Sequence, residues 1–161
     1  MNIIDTTSTA QTAVNEFCAK YGDDVHATDA KGLTLLHTAM AFEDIDIVTS
    51  LVLRGADVNA RSQHGWTPLH YASLYNDIGI INFLISQGAN INIAGNCGCT
   101  PLHWAIGTNA PIAKFFISKG ADINAECMNY GSPLDLAAKI ENSAMLNYFS
   151  GDEGIGVKTK P

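Results

Sequence analysis

One short phrase returns along this chain at a fixed interval. Thr34-Leu35-Leu36-His37, Thr67-Pro68-Leu69-His70 and Thr100-Pro101-Leu102-His103 begin 33 residues apart, and a degraded copy, Ser132-Pro133-Leu134-Asp135, follows after 32 more. A constant period near 33 marks a stack of like supersecondary units, each contacting its neighbours, in place of a globular core. A second phrase keeps phase with the first: Gly22-Asp23-Asp24-Val25-His26-Ala27, Gly55-Ala56-Asp57-Val58-Asn59-Ala60, Gly88-Ala89-Asn90-Ile91-Asn92-Ile93 and Gly120-Ala121-Asp122-Ile123-Asn124-Ala125. Each glycine precedes the next Thr or Ser by 12 residues. Two motifs locked in phase over four turns fix the register.

The unit can be read physically. Thr67 before Pro68 is a helix start, with a capping hydroxyl and a proline suited to the first helical position. A short helix runs from His70 to about Tyr75, and a turn near Asn76-Asp77 leads into a second. That second helix carries Ile80, Ile81, Leu84 and Ile85, a stripe that buries one face. Ile47, Val48, Leu51 and Val52 repeat it in one neighbour, and Ile112, Ala113, Phe116 and Ile117 in the other. Gly88 ends the helix in a left-handed cap. From Gly88 to Thr100 the Asn, Gly and alternating apolar residues predict a β-turn or hairpin finger.

These phrases, Thr67-Pro68-Leu69-His70-Tyr71-Ala72 and Gly55-Ala56-Asp57-Val58-Asn59-Ala60 above all, closely resemble the ankyrin repeat, over about residues 13 to 149. The resemblance implies an all-α ankyrin-repeat solenoid of stacked helix-turn-helix units with β-turn or hairpin fingers. The expected plan is a flexible N-terminus over 1–12 and one repeat domain over 13–150. Within it lie a half unit at 13–29, full units at 30–62, 63–95 and 96–127, and a capping unit at 128–150. Residues 151–161 read as a mobile tail. Val14 to Tyr21 is expected to be the lone second helix of the half unit, with Phe17 inward, and Ala144 to Phe149 to close the other end. Leu35 stands where proline is expected. The third unit is one residue short, which places a deletion at the inter-helix turn near Asn109 to Pro111. In the fourth, Asp135 replaces the histidine, Tyr130 replaces the finger glycine, and Gly131 has moved one place along.

Composition excludes several functions. With 9 basic against 16 acidic residues, a net charge of −7 and no Lys/Arg cluster, the chain is poorly equipped to neutralise phosphates, so nucleic acid is disfavoured. No apolar run approaches the roughly 18 to 20 residues that span a bilayer, and Met1 to Thr12 lacks the features of a secretory signal. The four cysteines, Cys18, Cys97, Cys99 and Cys127, show no framework spacing, so reduced thiols and a cytoplasmic setting are expected, or delivery into a host cell if the source is microbial. Only 16% of residues are charged, below the roughly 25% of ordinary soluble domains. Neutral polar and aromatic groups must cover the surface, which suits a binding face.

Catalytic patterns are missing: there is no phosphate-cradling Gly-Lys-Ser loop and no Gly-x-Ser-x-Gly elbow. His37, His70 and His103 recur at one point of every unit. The resemblance implies that they bridge neighbouring loops by hydrogen bonds. Cys97-Gly98-Cys99, with Cys127 on the next finger and His64 on the previous one, offers zinc-type ligands. Against zinc stand the lack of a usual ligand spacing and an inter-unit distance on the order of 10 Å. Free thiols on a contact surface are the simpler reading, and no cofactor or metal is expected.

The resemblance implies that finger tips and outward faces of the first helices line a concave, partner-binding side. In the second unit Leu69 and Ala72 face the core, which leaves Tyr71, Leu74 and Tyr75 on another face. Thr38, Ala41 and Phe42 match them in the first full unit, and Trp104, Gly107 and Thr108 in the third. Finger positions add Lys31 and Leu33, then Gln63, His64 and Trp66, then Asn96, Cys97 and Cys99. The expected partner-binding set is Phe42, Gln63, His64, Trp66, Tyr71, Leu74, Tyr75 and Trp104, since Trp and Tyr often dominate interface energetics. The function expected is non-catalytic binding of another protein by a chain monomeric on its own, as an inhibitor, neutraliser or adaptor. The alternative is a structural role through self-association, and, more remotely, a metal-dependent role at the Cys-bearing fingers.

Overall fold

The computed structural model describes residues 6–75 and 77–151, with side chains from residue 12 onward. Its helices are α1 (Thr6–Tyr21), α2 (Leu35–Ala39), α3 (Ile45–Leu53), α4 (Pro68–Tyr75), α5 (Ile78–Ser86), α6 (Pro101–Thr108), α7 (Ala110–Ser118), α8 (Pro133–Lys139) and α9 (Ser143–Ser150). A 3-10 turn over Met40–Phe42 extends α2. Among the described residues, β structure is confined to isolated bridges at two finger bases, Thr28 with Thr34 and Cys127 with Gly131. No helix among them is long and apolar enough to cross a membrane.

The helices form two files. First helices stack on one another through α2, α4, α6 and α8, while α1 packs on α3, α3 on α5 and α7 on α9. The stripes on the second helices produce this arrangement. Ile47, Val48 and Leu51 are buried, as are Ile80, Ile81 and Leu84, then Ile112, Ala113 and Phe116. The fourth stripe position, Val52, Ile85 or Ile117, is half-buried each time. One hydrophobic cluster therefore runs without a break from Val14 and Phe17 to Met145 and Phe149.

The second helices α3, α5, α7 and α9 each have their own N-cap. Asp44 accepts from the Asp46 and Ile47 amides at 2.9 and 3.3 Å, and Asp77 from that of Ile80 at 3.0 Å. Asn109 accepts from Ile112 at 3.3 Å and Asn142 from Met145 at 3.1 Å. These side chains satisfy amide donors that a helix start leaves unpaired. In the third unit Asn109 alone separates α6 from α7, and Pro111 lies in the first turn of α7. The missing residue is thus at the inter-helix turn, where it was expected. In the fourth finger the left-handed conformation falls on Gly131, with φ +70, so the turn has moved with its glycine.

One expectation met a different structure. Helix α1 begins at Thr6, well before Val14. Val14 and Phe17 are buried, but the upstream Thr, Ser and Ala residues give no apolar period, and no glycine or proline stops the helix there. In the unit with Leu35 in place of proline, the first helix is short and closes as a 3-10 turn, with Glu43 left-handed at φ +52. Residues 1–5 of the expected flexible N-terminus and residues 152–161 of the expected tail lie outside the described residues.

Candidate protein-interaction face

The repeated histidines are held in the same way in three successive units. The Thr34 amide donates to His37 Nδ1 at 3.0 Å, which makes Nδ1 the acceptor and leaves the proton on Nε2. His37 Nε2 donates to the Trp66 carbonyl at 3.0 Å. His70 repeats this between the Thr67 amide and the Cys99 carbonyl, and His103 between the Thr100 amide and the Gly131 carbonyl. Each ring therefore caps its own helix and grips the residue just before the next copy of the phrase. Burial lowers the pKa of all three imidazoles, that of His70 to about 4, so the neutral tautomer is the resident form. These groups build the stack.

Asp135 performs the capping half of that role. Its carboxylate accepts from the Ser132 amide at 2.9 Å and hydroxyl at 2.7 Å, bonds that hold its pKa below the usual carboxylate value. The fingers join through backbone as well: Gln63 N to Lys31 O, Asn96 N to His64 O and Met128 N to Cys97 O, each at 2.9 Å. Sequence reasoning missed a ladder on the other edge. The Asn59 side chain spans the Gly88 carbonyl and the Asn90 amide at 3.0 and 2.7 Å, and Asn92 spans Gly120 and Asp122 at 3.2 and 2.7 Å. His26 stands at that place in the first copy, and there Arg54 ties the half unit through Asp23 and Cys18.

On this frame the structure brings together most of the expected contact aromatics. Trp66 packs edge-on against Trp104, with ring centroids 4.7 Å apart, and against Tyr71 at 5.7 Å. His64 lies 5.6 Å from Trp66 and exposed at the tip. Tyr71 stands edge-on to His37 at 5.5 Å, and burial raises the pKa of its hydroxyl. Trp66, Tyr71, Leu74 and Trp104 are half-buried, while Tyr75 is 38% exposed at the end of α4. The Trp104 indole N–H is buried without a partner.

The remaining positions sort differently. Gln63 is exposed, but its side chain donates to the Ala30 carbonyl at 2.7 Å and its own carbonyl accepts from Asn96 at 2.8 Å. It is a finger-to-finger brace as much as a contact residue. Phe42 pairs its ring with Phe17 at 5.3 Å and Tyr21 at 5.7 Å, which makes it part of a separate aromatic group at the N-terminal end. A cavity of about 280 Å³ opens there between α1 and α3, lined by Phe17, Tyr21, Phe42 and Ile47 among others.

The cysteine expectation is corrected. Cys99 and Cys127 are not free surface thiols: they are 2% and 3% exposed and joined in a disulfide across the third and fourth fingers. Cys18 and Cys97 are free and half-buried. The argument from inter-unit distance also fails, because cysteines of neighbouring fingers come together. The sulfurs of Cys97, Cys99 and Cys127 all lie within 4.8 Å of one another.

A family model described as ankyrin repeats (3 copies) matches residues 7–95 and again 80–160. No curated protein matches the chain.

Proposed function

The chain belongs to the ankyrin repeat family, and from that premise we propose that it is a non-catalytic recognition module that docks a partner protein on the aromatic row of its first helices and fingers. Ankyrin repeats are generally protein–protein interaction modules and generally non-catalytic. The observation that carries the reading is the contiguous set of His64, Trp66, Tyr71 and Trp104, with Tyr75 beside it on α4. Rigid aromatic side chains already held by their neighbours lose little conformational freedom on binding, and Trp and Tyr are the residues that most often become hot spots. The scaffold beneath is fixed by the histidine bonds, so docking requires little rearrangement. We read the mode of action as occupation of the partner, by an inhibitor, neutraliser or adaptor.

Affinity capture on the purified chain identifies the partner, and alanine substitution then tests the face. Trp66→Ala and Tyr75→Ala are each expected to weaken binding by about 2 kcal/mol or more. If both leave the affinity within about 0.5 kcal/mol, the docking face lies elsewhere.

A second reading, self-association through the stack end, draws on Tyr21 and Phe42, which are 39% and 44% exposed beside the cavity. Size-exclusion chromatography with light scattering separates the two: a monomer at working concentration removes self-association.

A further inference from the structure

We propose that Cys97, Cys99 and Cys127, once the Cys99–Cys127 disulfide is reduced, form a three-thiolate site for one thiophilic divalent cation, with Zn²⁺ as its natural type. The site is independent of the aromatic face and joins the third finger to the fourth.

The geometry supports it in three ways. The three sulfurs converge within 4.8 Å, while a metal about 2.3 Å from each thiolate sets them roughly 3.8 Å apart. Opening the disulfide, whose Cα atoms lie 4.6 Å apart, frees the Cys99 and Cys127 side chains to rotate toward that spacing. The backbone is also preorganised for it. The Cys97 carbonyl accepts from the Met128 amide at 2.9 Å, Gly95 N donates to Cys99 O at 2.9 Å, and Cys127 N to Gly131 O at 2.9 Å. Gly98, at φ +83, lies so close to the fourth finger that a Cβ there would collide with the Glu126 carbonyl. Only glycine allows the Cys97-Gly98-Cys99 turn to deliver both sulfurs to Cys127. Finally, Cys99 and Cys127 are buried while Cys97 is half-exposed. This is the profile of a site closed on the protein side, with its fourth position turned toward solvent for a water. His64, the other ligand considered from sequence, is not part of the cluster.

The chemistry balances as two steps. A dithiol reduces the Cys99–Cys127 bond, giving two electrons and two protons to the two sulfurs, and is itself oxidised to a disulfide. The cation then displaces one proton from each of the three thiols as three metal–sulfur bonds form. The same two fingers are therefore tied by a covalent bond when oxidised and by a metal when reduced.

The test uses the full chain, reduced with a dithiol, freed of reductant under inert gas and titrated with Co²⁺, then with Zn²⁺ in competition. One equivalent of Co²⁺ is expected to raise a thiolate-to-cobalt charge-transfer band that one equivalent of Zn²⁺ abolishes. The oxidised chain should give no band. Cys18→Ser should bind as the unsubstituted chain does, whereas Cys97→Ser should bind at least about tenfold more weakly. Circular dichroism checks that Cys97→Ser is folded, and Cys97→Ala serves as a second variant at the same position. Absence of the band in the reduced chain, or Cys97 variants binding within tenfold of it, overturns the assignment.

Discussion

The three buried histidines do their structural work only when neutral, because Nδ1 must accept from a threonine amide while Nε2 donates to the next finger. Protonation would set an N–H of the ring against an N–H of the backbone. Their pKa values are lowered by burial. Between the ordinary value of 6.5 and the about 4 of His70, the unfolded chain therefore binds protons that the folded chain does not. Stability should be full above pH 6.5 and fall as pH drops toward 4, with His70 alone accounting for roughly 3 kcal/mol across the window. Urea unfolding at a series of pH values measures this, and a flat profile between pH 7 and 4.5 would contradict it. His70→Ala should cost about 1–3 kcal/mol even at pH 8, since it leaves the Thr67 amide without its acceptor and removes one of the two donors to the Cys99 carbonyl, which keeps the bond from Gly95 N. The structural role of these residues was legible in the sequence through their regularity and the family resemblance. The Asn59 and Asn92 ladder was equally periodic and went unread, because an Asn in a polar connecting stretch is also what any turn would show.

At the scale of elements, the helices and their order were legible because apolar stripes and Gly/Pro punctuation announce them, down to the single residue missing before Asn109. The start of α1 was not legible: Thr6 to Ala13 offers no stripe, and a helix can extend through such a stretch when nothing breaks it. The convergence of the third and fourth fingers was also hidden. Sequence spacing measures distance along the chain, and the pairing of Cys99 with Cys127 arises from bonds such as Met128 N to Cys97 O between different units. The finger geometry makes a sharp prediction. Gly98→Ala places a Cβ at a positive φ and against the Glu126 carbonyl, so it should destabilise the chain by about 1–3 kcal/mol in urea unfolding. Gly107, inside α6 with open space around it, is the control: Gly107→Ala should stabilise by about 0.5–1 kcal/mol.

For the whole molecule, the unbroken cluster from Val14 to Phe149 implies that units lend stability to one another and unfold together. Tryptophan fluorescence, which reports Trp66 and Trp104 in the middle, and far-ultraviolet circular dichroism, which reports every helix, should give coincident urea transitions. An early fluorescence transition would show that the stack melts in sections. The candidate face was legible in part. The variable aromatic positions of the second and third units do meet, but Phe42 joins Phe17 and Tyr21, because its partner lies on α1, which the repeat pattern covers only in part.

Asp135 has one more consequence. A carboxylate can receive the Ser132 bonds, but it has no proton to hand onward as His37, His70 and His103 do. Growth of such an array by duplication is therefore directional in its chemistry. A copy inserted between histidine-bearing units inherits a donor that recruits it, whereas one grafted behind Asp135 meets only an acceptor. A unit added on that side would still find backbone and Asn-type bonds, but it would gain the side-chain donor only if Asp135 were replaced by histidine.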